Sequence, residues 1–144
     1  MVDAVELNIS SPNTQGIRVF QEPALFDELV DRVNAGRKKR LFVKLPPYSD
    51  EQAKEKVLKL VGICVKRGVD GVTAINTVPV TDSSLKVGRG GLSGKAIFPD
   101  MLRIVADVRA EGGSKLAINA CGGIFSAEDA WEALEAGANT VQLL

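Results

Sequence analysis

Asn8-Ile9-Ser10-Ser11-Pro12-Asn13-Thr14 places two amides, three hydroxyls and a stiffening proline directly at the end of an apolar run. Side-chain amides carry donors and acceptors together, so Asn8 and Asn13 suit a planar, amide-rich ligand. The same residue types also build ordinary turns. Pro12 fixes its own φ and biases Ser11 toward an extended conformation. Lys44 interrupts Leu41-Phe42-Val43-Lys44-Leu45, where burial without a partner would be costly. It either snorkels to a rim or meets an anionic or electron-rich ligand. Asn76-Thr77 closes another apolar run, and Gly122-Gly123 stands just ahead of a helix start. A glycine pair there permits close backbone approach and offers N–H groups to a phosphate. The chain has no histidine, which excludes His-dependent triads and HExxH zinc sites. A general base must then be Ser, Cys, Lys, Tyr, Asp or Glu.

The elements that position these residues alternate regularly. Val2, Val5, Leu7 and Ile9 read as a mostly buried strand. Leu25, Phe26, Leu29, Val30 and Val33 recur at helical spacing between Pro23 and Ala35, with Gly36 as the stop. Residues 41–45 form a second strand, halted by Pro46-Pro47. Ser49 or Asp50 caps a helix whose buried stripe runs from Ala53 to Val65, and Val69 to Ile75 is the third strand. A long connection from Val78 to Lys95 follows, rich in Gly, Ser and Asp, of the kind that is usually functional or mobile. Its Gly90-Gly91-Leu92-Ser93-Gly94-Lys95 segment lacks Walker A spacing, so no nucleotide triphosphate site is read there. A helix from about Phe98 to Ala110 leads to a strand at 116–120. Ser126-Ala127-Glu128-Asp129 resembles a capping box and opens a helix through Leu134, before a last strand begins at Thr140.

This β-α-β-α-β-α-β-α-β order, with short apolar runs, predicts parallel strands covered on both sides. Arg67-Gly68-Val69-Asp70-Gly71-Val72 and Ala136-Gly137-Ala138-Asn139-Thr140-Val141 repeat one pattern of helix end, glycine stop and strand start. Equivalent βα units of this kind build a (β/α)8 barrel or an open α/β sheet. A complete barrel needs about 200 residues or more, so 144 residues predict a single partial (β/α)8 barrel domain over 1–144, with five parallel strands and four helices. Chemistry in barrels collects at the C-terminal strand ends. Asn8, Ser11 and Asn13, then Lys44, Asn76-Thr77 and Gly122-Gly123 all fall there.

Composition narrows the partners. Lys+Arg and Asp+Glu balance at 18 each, so no field favours nucleic acid or an anionic membrane. No apolar run reaches membrane-span length, and the N-terminus lacks a signal pattern. Cys64 and Cys121 have no metal-ligand spacing and suit a reduced, cytoplasmic setting. Arg37-Lys38-Lys39-Arg40 is adequately explained as a solvated helix terminus.

Asn8-Ile9-Ser10-Ser11-Pro12-Asn13-Thr14-Gln15-Gly16-Ile17-Arg18 closely resembles the signature of dihydroorotate dehydrogenases. Asn76-Thr77, Gly90-Gly91-Leu92-Ser93-Gly94-Lys95 and Gly122-Gly123-Ile124 match it in order and compatible spacing. The resemblance implies a flavin mononucleotide (FMN) barrel that oxidises dihydroorotate to orotate in pyrimidine synthesis. In it Ser11 is the base that removes the C5 proton while the C6 hydride passes to the flavin. Serine at that position marks the quinone-dependent class 2, and Thr14 matches a residue that relays the proton to solvent. Asn8 and Asn13 would hydrogen-bond the pyrimidine, with Asn76 and Thr77 on its other edge. Asn8 would also meet the flavin, Lys44 would lie by its N1–O2 edge, and Gly94, Gly122 and Gly123 match backbone contacts to the cofactor.

Ile75 departs from the family pattern, standing where a threonine hydroxyl usually meets the flavin, and Val78-Pro79 replaces the commoner continuation. Measured against the family, early strands with a flavin segment, a lysine and a substrate loop are expected outside this sequence. So are the end of the phosphate site and the helical extension that docks class 2 enzymes on membranes. Taken alone, the 144 residues are expected to bind flavin weakly or not at all and to self-associate or pair with the rest of the barrel. Two other readings remain at this level: a flavin barrel acting on a different pyrimidine or enone, and a non-catalytic α/β assembly module.

Overall fold

The computed structural model describes residues 2–11, 14 and 16–143; Asn13, and Pro12 beside it, lie outside the described residues. Five parallel strands form one sheet: β1 (Ala4–Asn8), β2 (Arg40–Lys44), β3 (Gly71–Ala74), β6 (Ala117–Cys121) and β7 (Thr140–Gln142), in the order β1-β2-β3-β6-β7. Four helices lie between them: α1 (Pro23–Gly36), α2 (Glu51–Lys66), α3 (Phe98–Gly112) and α4 (Ala127–Glu135). Each helix packs on the next, α1 on α2, α2 on α3 and α3 on α4, as one continuous outer layer. This is the partial-barrel architecture that the βα order predicts.

The helix boundaries have local causes. Pro23 occupies the first turn of α1, where its missing N–H costs nothing. Of the two cap candidates for α2, Asp50 is the one used: its side chain accepts from Ala53 N at 2.8 Å. At α4, Ser126 and Asp129 form a full capping box.

The strands alternate, and this corrects the expectation of cover on both sides. Leu41, Val43, Val72, Ala74, Ile118 and Ala120 are fully buried against Phe26, Val30, Leu60, Val61, Met101, Ile104 and Val105 of the helices. The opposite face carries no helix among the described residues and is largely polar. There Thr73 Oγ1 donates to the Glu6 carboxylate. Asn119 Nδ2 donates to Thr73 Oγ1 at 3.4 Å and to Gln142 Oε1 at 3.3 Å, and Thr140 Oγ1 donates to Asn119 Oδ1 at 3.1 Å. Side chains on the concave face of a curved sheet meet one another instead of a covering helix, so polar residues satisfy themselves there.

Two further expectations change. The first strand is not mostly buried: Val2 is 62% and Val5 42% exposed, and Ile9 alone of the four apolar positions is fully enclosed. Among the described residues β1 pairs with β2 only, so one of its edges has no neighbour to cover it. The 78–95 connection is not wholly irregular. It contains an antiparallel hairpin of β4 (Val78–Thr81) and β5 (Arg89–Leu92), pairing Pro79 with Gly91 and Val80 with Gly90. Proline and glycine are poor strand formers, and this hairpin stands apart from the main sheet where they are tolerated.

Ion pairs lock the helix layer. Arg67 on α2 grips Asp27 and Asp31 on α1. Tyr48 donates to Asp107 at 2.7 Å and Lys54 to the same carboxylate at 2.9 Å, fastening α3. Burial opposes charge at Asp107, yet Lys54, Tyr48 and Arg103 together hold its carboxyl below the usual range. Asp27 is lowered chiefly by Arg67. A carboxyl depressed in the folded state stabilises above its unfolded pKa and loses that contribution as pH falls through the folded value. Stability is therefore expected to be flat above about pH 5 and to fall as the pH drops below about 4. Urea midpoints across that window should show the loss, with a shallower acid limb in Asp107→Asn. Burial pushes the Cys64 thiol, packed within α2, up to about 12, which makes it an inert core residue.

Candidate functional site

The C-terminal ends of β1, β2, β3 and β6 converge, because parallel strands present all their carboxyl ends at one edge. A pocket of about 220 Å3 opens there. It is lined by Lys44 at the end of β2, Ile75, Asn76 and Thr77 after β3, Gly94, and Cys121, Gly122 and Gly123 at the end of β6. Six residues singled out from sequence thus share one wall. A larger hollow of about 550 Å3 lies between Glu22 and Lys59 on the outer face, but it is shallow and walled by exposed charged side chains.

Lys44 points into this pocket. Among the described residues its ammonium has one polar contact, Cys121 Sγ at 4.0 Å. The two alternatives for this lysine were a rim position and an electron-rich ligand. A half-buried cation without a carboxylate beside a pocket suits the second.

The glycines are demanded by packing as well as by backbone. Gly123 has φ +72°, and a Cβ there would stand 2.7 Å from Phe98 Cβ and 2.8 Å from the Gly94 carbonyl oxygen. Gly122 has φ +128°, and its Cβ would meet Ile97 Cδ1 at 2.8 Å. The Gly94 and Gly123 loops therefore touch, and a side chain on the glycine pair would be driven into Ile97, Phe98 and the Gly94 carbonyl. Lys95 fastens this corner: it pairs with Asp129 and lies over the Phe98 ring at 4.1 Å. The same Asp129 accepts from Phe125 N at 2.9 Å and Ser126 N at 3.3 Å, while Ser126 Oγ accepts from Asp129 N at 3.2 Å. This narrows the expectation of free N–H groups at the α4 terminus. The capping box spends those of Phe125, Ser126 and Asp129 on its own two side chains.

At the other end of the site the amides are tied together. Asn76 Nδ2 donates to Ser10 Oγ at 2.9 Å and Asn8 Oδ1 at 3.2 Å. Asn76 Oδ1 accepts from Thr77 N at 2.8 Å. Asn8 therefore joins the pocket through Asn76. Ser11 and Thr14 do not line it. They form a hydroxyl pair, Thr14 Oγ1 donating to Ser11 Oγ at 2.9 Å, with Thr14 exposed to solvent. Asn13 lies outside the described residues.

Sequence reasoning missed Ser10, Cys121 and Phe125 as site residues. Ser10 lies beyond the end of β1 and carried no periodic signal; its role shows only in its contacts with Lys44 and Asn76. Phe125 at the pocket mouth had no such signal either. Among the described residues no group of three or more His, Cys, Asp or Glu could hold a metal, and no helix is long and apolar enough to cross a membrane.

Comparison with known proteins agrees with this fold. A family model described as dihydroorotate dehydrogenase matches residues 1–144. A dihydroorotate dehydrogenase (quinone) of Sphingopyxis alaskensis is 37% identical over 99% of the chain and 41% of its own length. A putative dihydroorotate dehydrogenase A (fumarate) of Aquifex aeolicus is 37% identical over 97% of the chain and 47% of its own length. The chain thus spans less than half the length of these relatives. Among solved structures, the Eimeria tenella enzyme in complex with ferulenol superposes with a TM-score of 0.85 at 26% identity, covering 99% of this chain and 44% of that one.

Proposed function

This chain belongs to the dihydroorotate dehydrogenase family, and on that premise we propose that it forms the substrate and flavin face of an enzyme oxidising dihydroorotate to orotate. The observation that carries this reading is the meeting of Lys44, Asn76, Thr77, Gly94, Gly122 and Gly123 around one pocket at the strand ends. The 144 residues are then one part of a flavin barrel domain. The uncovered edge of β1, with Val2 and Val5 exposed, is suited to pairing with another strand of the same barrel or of a second copy.

The residues present fit flavin mononucleotide. Gly94, Gly122 and Gly123 line the pocket with backbone alone, a cradle for its phosphate end, and Ile75, Ile97 and Phe125 supply apolar wall for its ring. Lys44, the one cation among the described lining residues, is offered to the ring's electron-rich edge. Ile75 stands in for the hydroxyl of the family pattern, so that wall contacts the ring by packing alone. Flavin, when bound, supplies the hydride acceptor.

The chain's own residues do the rest. Ser11 takes the substrate proton, and its hydroxyl partner Thr14 leads that proton outward when both rotors turn. Asn8, Asn13, Asn76 and Thr77 orient the substrate ring. Ser11 in place of cysteine favours quinone as the oxidant; relatives named for quinone and for fumarate are equally identical to this chain, so identity alone does not choose.

The test is anaerobic mixing of the full-length protein carrying this chain, loaded with flavin, with dihydroorotate. The visible flavin band should bleach with substrate, and ubiquinone should restore it faster than fumarate or NAD+. A band unchanged by dihydroorotate sinks the substrate assignment, and faster recovery with fumarate sinks the quinone assignment.

A further inference from the structure

Ser10 is 4% exposed and Asn76 8%, and both belong to a hydrogen-bond network whose donors and acceptors can be counted. The Ser10 hydroxyl has one hydrogen and two lone pairs. It donates to the Lys44 carbonyl at 2.9 Å, with Asn8 Oδ1 a second acceptor within reach at 3.3 Å, and accepts from Asn76 Nδ2 at 2.9 Å. Its backbone N–H donates to Asn8 Oδ1 at 3.2 Å. One residue thus touches the amide beyond β3, the amide ending β1 and the main chain of Lys44 at the end of β2.

The count fixes how both amides face. Asn76 has two amide hydrogens, and both are spent, one on Ser10 Oγ and one on Asn8 Oδ1. Its Oδ1 is held by Thr77 N at 2.8 Å. Turning the Asn76 amide over would set its oxygen against Asn8 Oδ1 and break the bond from Thr77. Asn8 spends its Oδ1 on Ser10 N and Asn76 and keeps its Nδ2 to offer to a ligand. A buried polar network of this kind is rigid only when every member is satisfied.

We propose that Ser10 is a positioning residue that locks the Asn8–Asn76 pair with the Asn8 Nδ2 turned outward, so that the site selects a ligand presenting a carbonyl or carboxylate acceptor at that point. Asn76 then orients the substrate ring through Asn8, which it holds, and through the remaining lone pair of its Oδ1. This rests on the reading above for the identity of the ligand, but the lock itself does not.

The experiment uses the full-length protein with asparagine side chains labelled by 15N. In the parent protein the Asn76 side-chain NH2 hydrogens should exchange slowly, and in Ser10→Ala they should lose that protection. KM for dihydroorotate should rise about tenfold or more in Ser10→Ala, with FMN affinity held within about twofold, a split that general loosening of the fold would not give. Asn8→Asp keeps the acceptor that Ser10 and Asn76 need but removes the outward donor, so it should weaken orotate binding while the Asn76 protection persists. Unchanged Asn76 protection in Ser10→Ala overturns the lock. Lost protection with unchanged KM, or full orotate affinity in Asn8→Asp, overturns the positioning role. If the parent protein neither turns over dihydroorotate nor binds orotate, the substrate reading fails, and the exchange rates still decide whether Ser10 holds the amides.

Discussion

Ser11→Ala in the full-length protein slows reduction of bound flavin by dihydroorotate by about 10²–10⁴-fold, the range expected for a lost general base, and leaves flavin binding unchanged. The hydroxyl lies in a segment stiffened by Pro12, so truncation to Ala removes one oxygen without freeing the backbone. Ser11 does not line the flavin-side pocket, which is why cofactor affinity should hold. A serine hydroxyl is a poor base by itself and works only as part of an organised relay, here with Thr14 at 2.9 Å. Ser11→Cys separates the base from its relay: a thiol ionises near pH 8.5, so its rate should recover in part and rise with pH through that region. Stopped-flow reduction at several pH values reads both variants. An Ala variant that reduces flavin at the parent rate would remove Ser11 from the mechanism.

Four of the five parallel strands were legible because each is a short apolar run closed by Gly, Pro or Asn, and the fifth because a glycine stop at Gly137 precedes it; those signals are local. The β4–β5 hairpin was not, since Pro79, Gly90 and Gly91 argue against strand locally and pair only through the geometry of the connection. The exposure of Val2 and Val5 was equally invisible: apolar content says that a residue can be buried, not which neighbour covers it. Within the site, Lys44, Asn76 and the glycine pair stood out because a polar or flexible residue at the end of an apolar strand is conspicuous. Ser10 did not, because its meaning lies in contacts with Lys44 and Asn76, 34 and 66 residues away in sequence. The α4 terminus was legible as a capping box and, separately, as an anion seat. The two readings compete for N–H groups, and the box takes those of Phe125, Ser126 and Asp129.

Gly123→Ala should cost about 2–5 kcal/mol of stability and at least tenfold in FMN affinity. At φ +72° a side chain forces the left-handed region, worth about 1–2 kcal/mol for a residue with a Cβ. The added carbon would also stand 2.7 Å from Phe98 Cβ and 2.8 Å from the Gly94 oxygen, and relieving such overpacking costs about 1–3 kcal/mol more. Neither neighbour yields easily. Phe98 begins α3 beneath the ion pair of Lys95 and Asp129, and the Gly94 oxygen is backbone already accepting from Ile97 N at 3.1 Å. The movement must therefore open the Gly94–Gly123 contact, which is the cradle proposed for the phosphate, and a loss of 1.4 kcal/mol there is already tenfold in affinity. Gly113→Ala is the matched control. Its φ is +63°, but nothing lies within 4 Å of the added carbon, so it should cost only the backbone term and leave FMN affinity alone. Flavin titration and thermal unfolding of the two variants distinguish strain from site. If both lower stability and neither weakens FMN, the cradle is a packing corner of the barrel and the phosphate sits elsewhere.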